Sequence, residues 1–100
     1  MGTAEDVFTV PPFVVEVCDT TGAGDAFDAG VICGRLSGLS WRAAALLGNA
    51  LGALVVAGEG ARRETITGET VVAFLRQRRG RPRWLGWQRE FDAVINSIAM

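Results

Sequence analysis

An aspartate directly behind a short glycine turn is the feature of this sequence best suited to chemistry. Gly22 and Gly24 flank Ala23, and Asp25 follows at once. Glycines let the backbone turn tightly and bring its N–H groups close to a ligand. The small apolar residues at 26–36 predict a helix just after the turn, and a helix N-terminus adds unpaired N–H groups and the positive end of the helix dipole. The pattern is therefore typical of an anion site, and phosphate is its usual ligand.

A carboxylate beside a phosphate site repels the ligand, so its presence there calls for a separate function. Asp25 could accept the proton of an attacking hydroxyl, because in phosphoryl transfer the protein mainly positions reactants, neutralises developing charge and orients the nucleophile. A structural role stays open, since an aspartate in a first helical turn is favourable for capping and dipole reasons alone. The turn also matches neither standard phosphate fingerprint: no Gly-Lys-Ser/Thr follows it, and Phe27 stands where a dinucleotide loop would have its third glycine.

The composition restricts the remaining chemistry. The 100 residues include ten arginines, 11 acidic residues, no lysine and no histidine. Histidine base catalysis, histidine metal ligation and a lysine Schiff base are therefore excluded for these residues. With 49% hydrophobic residues and a net charge of −1, the composition is that of a globular chain rather than a disordered one. Its length suits one small domain that would be only marginally stable alone.

The two cysteines and the apolar stretches give expectations about the compartment. Cys18 and Cys33 are too few and too far apart for a disulfide framework or a zinc site, so we expect both to be small buried residues in a reducing cytoplasm. The N-terminus lacks the basic and apolar regions of a signal peptide. The apolar stretch at residues 43–57 is shorter than the roughly 20 residues of a membrane span, and we interpret it as a buried helix without a membrane partner.

The elements that must position these residues are strands and helices. Strands are expected at residues 6–10, 13–17 and 65–67. Helices are expected at residues 26–36, 41–56, 68–78 and 91–98. Ser40 is the expected N-cap of the second helix, and Pro82 should prevent continuation of the third. Two strands, a glycine loop and two helices predict part of a parallel α/β sheet.

Residues 19–30 carry a resemblance to a known family. They read Asp-Thr-Thr-Gly-Ala-Gly-Asp-Ala-Phe-Asp-Ala-Gly, which is similar, residue for residue, to the second signature of the PfkB carbohydrate kinases. In ribokinase-like enzymes two helices and a Gly-Ala turn follow, and residues 39–56 and 60–61 match them without an insertion. The resemblance covers about residues 8–74 and leaves 75–100 as a divergent tail. It implies that residues 1–100 form the C-terminal nucleotide-binding and catalytic portion of a ribokinase-like three-layer αβα fold.

The resemblance also implies an activity and a set of site residues. The activity is the ATP-dependent phosphorylation of a sugar hydroxyl, with ATP and a sugar or sugar-like molecule as ligands and Mg²⁺ arriving with ATP. Asp25 would be the general base, and the backbone N–H groups of Gly22, Ala23 and Gly24 would form the anion hole for the γ-phosphoryl group. Asn49 would lie beside the adenine, although a hydrogen bond within the core is an open alternative.

Members of this family often bind a monovalent cation, usually potassium, beside the anion hole. The matching positions are Asp19, Thr21, Val55, Gly58, Gly60 and Glu64. Glu64 departs from the small polar residue of the family pattern, and Asp19 has an alternative role in capping the turn through its side chain. Asp28, one turn beyond Asp25, is expected at the surface.

The missing parts of the family pattern suggest an alternative to catalysis. In this family the sugar-binding residues, lid strands and first glycine signature precede the segment seen here, so the isolated chain is expected to be inactive. The alternative is a non-catalytic module derived from a kinase half. Such a module would self-associate as a homo-oligomer or pair with a missing N-terminal portion.

A cluster of five arginines suggests a third interpretation. The arginines are Arg76, Arg78, Arg79, Arg81 and Arg83. Beside Trp84 and Trp87 they could bind phosphates and stack bases. They could equally be a solvated helix end, where cations interact favourably with the dipole. Because the net charge is −1 and no basic face extends further, we expect no nucleic-acid partner.

Overall fold

The computed structural model describes Phe13, residues 23–57 and residues 67–99. Its elements are α1 (Ala23–Leu36), α2 (Trp41–Ala57), α3 (Gly68–Arg78), a 3₁₀ helix (Pro82–Trp87) and α4 (Gln88–Ala99). No strand occurs within this described part. The expected strands lie outside it except for Phe13 and Thr67, and neither of these is in a strand. The expected α/β architecture is therefore seen only in its helical portion.

A tight turn joins α1 to α2. Gly38 has a φ of 88°, a left-handed conformation that favours glycine. The N–H of Leu39 donates to the carbonyl of Gly34 at 2.9 Å and closes the end of α1. The N–H of Ala43 donates to Ser40 Oγ at 3.1 Å, which confirms Ser40 as the N-cap of α2.

Small residues let α1 and α2 pack with their backbones almost in contact. A Cβ built on Gly30 would lie 2.5 Å from the Cα of Gly48, and a Cβ built on Gly48 would lie 2.5 Å from the carbonyl oxygen of Phe27. At the other end of the pair, a Cβ on Gly34 would lie 2.9 Å from the Cα of Ala44. These contacts run in opposite directions along the two helices, so the pair is antiparallel, and they fix its spacing and register.

Gly48→Ala is expected to destabilise the chain, although alanine is the better helix former. Helix propensity favours alanine over glycine by about 1 kcal/mol. The added methyl group, however, must displace a backbone carbonyl of α1, and overpacking typically costs about 1–3 kcal/mol. We expect a lower urea midpoint by circular dichroism. Gly80→Ala is the matched control, because no described atom lies within 4 Å of its Cβ. A Gly48→Ala midpoint at or above that of the control would contradict the close packing.

The other half of the described core is aromatic. Phe13 stacks on Trp84 with ring centroids 4.5 Å apart and meets Phe74 edge-on at 4.8 Å. Trp84 also packs edge-on against Phe91 at 5.2 Å and is 2% exposed. Because α4 contacts both α2 and α3, the tail beyond residue 74 is a packed part of the core.

Most of the helices follow the predicted pattern. The structure confirms α3 at the predicted bounds, and it confirms that the apolar stretch in α2 is largely buried. The prediction that Cys33 is buried is wrong, because this residue lies on the face of α1 that points away from α2 and is exposed. Cys18 falls outside the described residues. Within the described part, no helix is long and apolar enough to cross a membrane.

Candidate functional site

Asp25 lies in the first turn of α1 with an exposed side chain. The helix begins at Ala23, three residues before the predicted start at Ala26, so Ala23, Gly24 and Asp25 are helical rather than part of a loop. The first four N–H groups of a helix have no intrahelical acceptor, and they carry the positive end of the dipole. The described part of the predicted anion hole is therefore a helix N-terminus. Gly22, its third member, lies outside the described residues.

Gly24 differs from the later glycines of α1 in its surroundings. No described atom lies within 4 Å of a Cβ built on Gly24, whereas Cβ atoms on Gly30 and Gly34 would clash with α2. Among the described residues only Gly38 has a positive φ, so Gly24 does not need glycine for its conformation either. Neither packing nor backbone geometry in the described part requires glycine at this position. Close approach of a ligand to the backbone would give glycine a purpose there.

Asn49 lies on α2 close to the level of Asp25 on α1. The contact between Gly48 and Phe27 fixes this relation: Asn49 is one residue after Gly48, and Asp25 is two residues before Phe27. Because the two helices are antiparallel, Asn49 and Asp25 are both displaced from this contact toward the same end of the helix pair. At about 1.5 Å of rise per residue, each displacement is shorter than one helical turn. Asn49 is half-buried, so its side chain remains partly accessible at that end.

The predicted cation site lies mostly outside the described residues. Val55, which is half-buried near the end of α2, is the member of the set that the structure describes. The others, Asp19, Thr21, Gly58, Gly60 and Glu64, fall outside it. Asp28 is exposed on α1, as predicted. In the described part of the chain, no three histidine, cysteine, aspartate or glutamate side chains are grouped to hold a metal ion. The potassium site therefore stays a prediction.

A surface groove lies apart from these residues. It has a volume of about 710 Å³ and lies between the start of α3 and the end of α4, where Thr67, Val72, Arg76 and Ile98 contribute to its walls. None of the described residues that are predicted to act in catalysis or nucleotide binding lines it. The groove is therefore not the predicted ATP site.

The two tryptophans beside the arginine cluster do not offer aromatic faces to solvent. Trp84 is 2% exposed and Trp87 is 6% exposed, and their rings meet edge-on at 6.1 Å inside the core. The guanidinium of Arg42 covers the Trp87 ring at 3.9 Å from its centroid. The interpretation in which these two rings stack nucleic-acid bases is therefore wrong.

Asp25 is thus an exposed carboxylate in the first turn of one of two closely packed helices. Residues 2–67 match the family described as pfkB family carbohydrate kinase. The match contains Gly22, Gly24, Asp25 and the whole of the helix pair. This chain belongs to the PfkB family of carbohydrate kinases.

Several known kinases are similar to this chain over about half to two thirds of its length. An inositol 3-kinase of Arabidopsis thaliana is 50% identical over 52 residues, which are 52% of this chain and 15% of that protein. A 2-dehydro-3-deoxygluconokinase of Bacillus subtilis is 47% identical over 66 residues, or 66% and 20% of the two chains. An ATP-dependent ribose-1-phosphate kinase of Halopiger xanaduensis is 46% identical over 68 residues, or 68% and 23%. The chain thus spans less than a quarter of the length of these relatives. No solved structure matches it.

Proposed function

We propose that this chain supplies the general base and part of the ATP phosphate site for the phosphorylation of a hydroxyl on a sugar or sugar-like molecule. One observation carries the proposal: Asp25 is an exposed carboxylate in the first turn of α1, directly behind a glycine that packing within the described part of the chain does not require. Family membership supports it, and so do the three relatives, each of which is named as a kinase.

In the proposed reaction Asp25 takes the proton of the attacking hydroxyl. The hydroxyl oxygen forms a bond to the γ-phosphorus of ATP while the bond from that phosphorus to the ADP oxygen breaks. The N–H groups of Ala23 and Gly24 are fixed at the start of α1, so they stabilise negative charge on the transferred group without reorganisation, and Gly22 supplies the third N–H group of the proposed anion hole. Mg²⁺ bound with ATP would supply further neutralising charge.

The remaining family residues have supporting roles in this proposal. Asn49 lies beside the adenine, on the helix that α1 packs against. A monovalent cation would be held by residues that include Val55 and would supply additional positive charge. Both roles come from the family resemblance, and the accessible position of Asn49 at the level of Asp25 supports the first of them.

The proposal is tested by replacing the matching segment of a working kinase. In the Bacillus subtilis 2-dehydro-3-deoxygluconokinase, the 66 aligned residues are exchanged for those of this chain. We expect ATP-dependent product formation from that enzyme's own substrate, because the exchanged segment brings a base and an anion site and leaves the substrate pocket in place. A chimera that folds and binds ATP but forms no product would contradict the proposal.

The 100-residue chain by itself is expected to phosphorylate no sugar. It covers less than a quarter of its relatives, and the proposed machinery on it contains a base and an anion site without a sugar pocket. The measurement is ADP release with a panel of aldoses, ketoses and cyclic polyols, with the chimera as the positive control. Product formation by the purified chain would refute this expectation.

Exposed apolar side chains favour a second candidate function, a self-associating or partner-binding module. Ile32 and Leu36 lie one turn apart on α1 and are 59% and 83% exposed. Contiguous apolar side chains at a surface commonly mark an interaction site. Size-exclusion chromatography with light scattering tests the module: a discrete dimer that Leu36→Glu dissociates supports self-association. A wild-type chain that stays monomeric over the accessible concentration range argues against self-association.

A further inference from the structure

The proposed kinase site leaves the arginine cluster at the end of α3 without a function. Three of its arginines line one pocket of about 280 Å³, together with Pro82 and Trp84. The three are Arg78, Arg81 and Arg83, and no acidic side chain lines the pocket among the residues that the structure describes. The pocket volume is just below the roughly 300–1,000 Å³ that is typical of pockets for drug-sized ligands, so the pocket suits a small ligand. We propose that this pocket binds a small, soluble, multiply charged phosphate anion such as a diphosphate.

The backbone brings the three arginines together. α3 ends at Arg78, and the N–H of Arg81 donates to the Arg78 carbonyl at 3.1 Å, which folds the chain back on itself. Pro82 then begins the 3₁₀ helix, in which the N–H of Trp84 donates to the Arg81 carbonyl at 2.9 Å. The geometry of the pocket is thus set by a turn and a short helix rather than by long mobile side chains alone.

Gln88, the first residue of α4, holds this turn through two hydrogen bonds, which form a clamp. Gln88 Nε2 donates to the carbonyl of Arg79 at 2.7 Å and to the carbonyl of Trp84 at 2.8 Å. Both acceptors belong to the segment that carries the arginines. The clamp therefore holds the end of α3 and the 3₁₀ helix in one arrangement.

Arg78 is itself oriented by its neighbours. Its Nη1 donates to the carbonyl of Phe74 at 3.3 Å and to Gln77 Oε1 at 3.2 Å, and its guanidinium lies 3.8 Å from the centroid of the Phe74 ring. A side chain that is already held in place loses less freedom when it binds a ligand. Guanidinium groups also present paired donors that match phosphate oxygens, which makes arginine better suited to this task than a point charge.

Arg79, in the middle of the cluster, has a different role. Its Nε and Nη2 donate to the two carboxylate oxygens of Asp92 at 2.8 and 2.9 Å, and these hydrogen bonds lower the pKa of Asp92. The side chain is therefore engaged with α4 and does not line the pocket.

The chemistry of the pocket favours a small anion over a nucleic acid. Binding of single strands normally uses exposed aromatic faces on which bases stack, and the two nearby tryptophans are buried. Three guanidinium groups line one pocket, and guanidinium groups form charge-assisted hydrogen bonds with the oxygens of an anion that carries two or more charges. Trp84 lines the pocket, so its fluorescence offers a local signal of binding.

The test uses the whole 100-residue chain and inorganic pyrophosphate. Titration calorimetry and tryptophan fluorescence at a fixed ionic strength are expected to show saturable binding. Arg81→Gln combined with Arg83→Gln should weaken this binding at least about tenfold, because two charge-assisted contacts are lost. The matched double variant, Arg76→Gln with Arg89→Gln, removes the same charge outside the pocket and should keep the affinity within about twofold.

Three results would overturn the proposal. The first is an absence of saturable pyrophosphate binding by the wild-type chain. The second is an equal loss in the two double variants, which would indicate a general charge effect. The third is full binding after loss of Arg81 and Arg83, which would place the anion elsewhere, for example at the start of α1. A chain that instead binds a single-stranded oligonucleotide or vesicles with anionic lipid, but no pyrophosphate, would also overturn the proposal, because pyrophosphate binding is absent.

Folding controls keep the result interpretable. Far-ultraviolet circular dichroism must show the same helix content in both double variants as in the wild-type chain. If the pocket double variant fails this check, Arg83→Gln alone replaces it, and Arg89→Gln alone becomes its control. Because none of these residues belongs to the proposed kinase site, the outcome is independent of the chimera experiment.

Discussion

Asp25→Asn in the chimeric kinase is expected to lower kcat by about 10²–10⁴-fold, which is the usual contribution of general acid–base catalysis. The amide has nearly the shape of the carboxylate but cannot accept the proton of the attacking hydroxyl. The KM for ATP should change little, because the proposed phosphate contacts are made by backbone N–H groups rather than by this side chain. Steady-state kinetics with ATP varied at a saturating concentration of the second substrate separate the two effects.

Asp28→Asn is the matched control for this variant. Asp28 is also exposed on α1, one turn beyond Asp25, so the substitution removes the same charge near the same helix terminus. We expect it to leave kcat nearly unchanged. A similar fall in both variants would point to the charge of the helix terminus rather than to proton transfer. Unaltered turnover in Asp25→Asn would remove Asp25 from the mechanism and favour its role in stabilising the first turn of α1.

The helices that were predicted well have local boundary signals. Ser40 lies at the predicted start of α2, and Thr67 with Thr70 forms a capping box at the start of α3. A cap acts within one turn of the chain, so neighbouring residues are enough to find it. The start of α1 was predicted three residues late because Gly22 and Gly24 favour a turn. Glycine destabilises a helix interior by about 1 kcal/mol relative to alanine. Gly24, however, lies in the first turn, where the backbone N–H groups have no intrahelical acceptor and find other hydrogen-bond partners.

The features that were missed depend on residues far apart in the chain. The burial of Trp84 requires Phe13 and Phe91 to meet at its ring, and no local sequence pattern predicts this contact. The exposure of Cys33 follows from Gly30 and Gly34, which define the face of α1 that packs on α2. The spacing of these two glycines is visible in the sequence and would have predicted that face. Residue type alone gave the wrong burial for the cysteine.

The candidate site was predictable in its parts but not in its geometry. The residue types and the family resemblance single out Asp25 and Asn49, and the helices that carry them were expected. Their position at one level of the helix pair follows from the contact of Gly48 with Phe27. This contact is a matter of packing between two helices, so periodicity within either helix cannot supply it.

Trp84→Ala is expected to have the largest effect on stability of any single substitution proposed for this chain. The Trp84 ring stacks on Phe13 and packs edge-on against Phe91 and Trp87, and it is almost fully buried. Truncating a buried tryptophan to alanine typically costs about 3–5 kcal/mol. A small domain is stable by only about 5–15 kcal/mol. We therefore expect urea unfolding, followed by circular dichroism, to begin at far lower denaturant or to lose its cooperative transition.

Trp41→Ala is the matched control, since this tryptophan is 38% exposed at the start of α2. Its ring contacts the Arg35 guanidinium at 4.4 Å from the centroid, and we expect its removal to shift the urea midpoint only slightly. The comparison decides whether the residues after position 74 belong to the same cooperative unit as the family-like segment. A large loss of stability for Trp84→Ala alone would mean that the residues after position 74 are part of the cooperative core, with Phe13 as their partner from the other end of the chain. Equal, small decreases in the urea midpoint of both variants would mean that α1 and α2 fold without the residues after position 74.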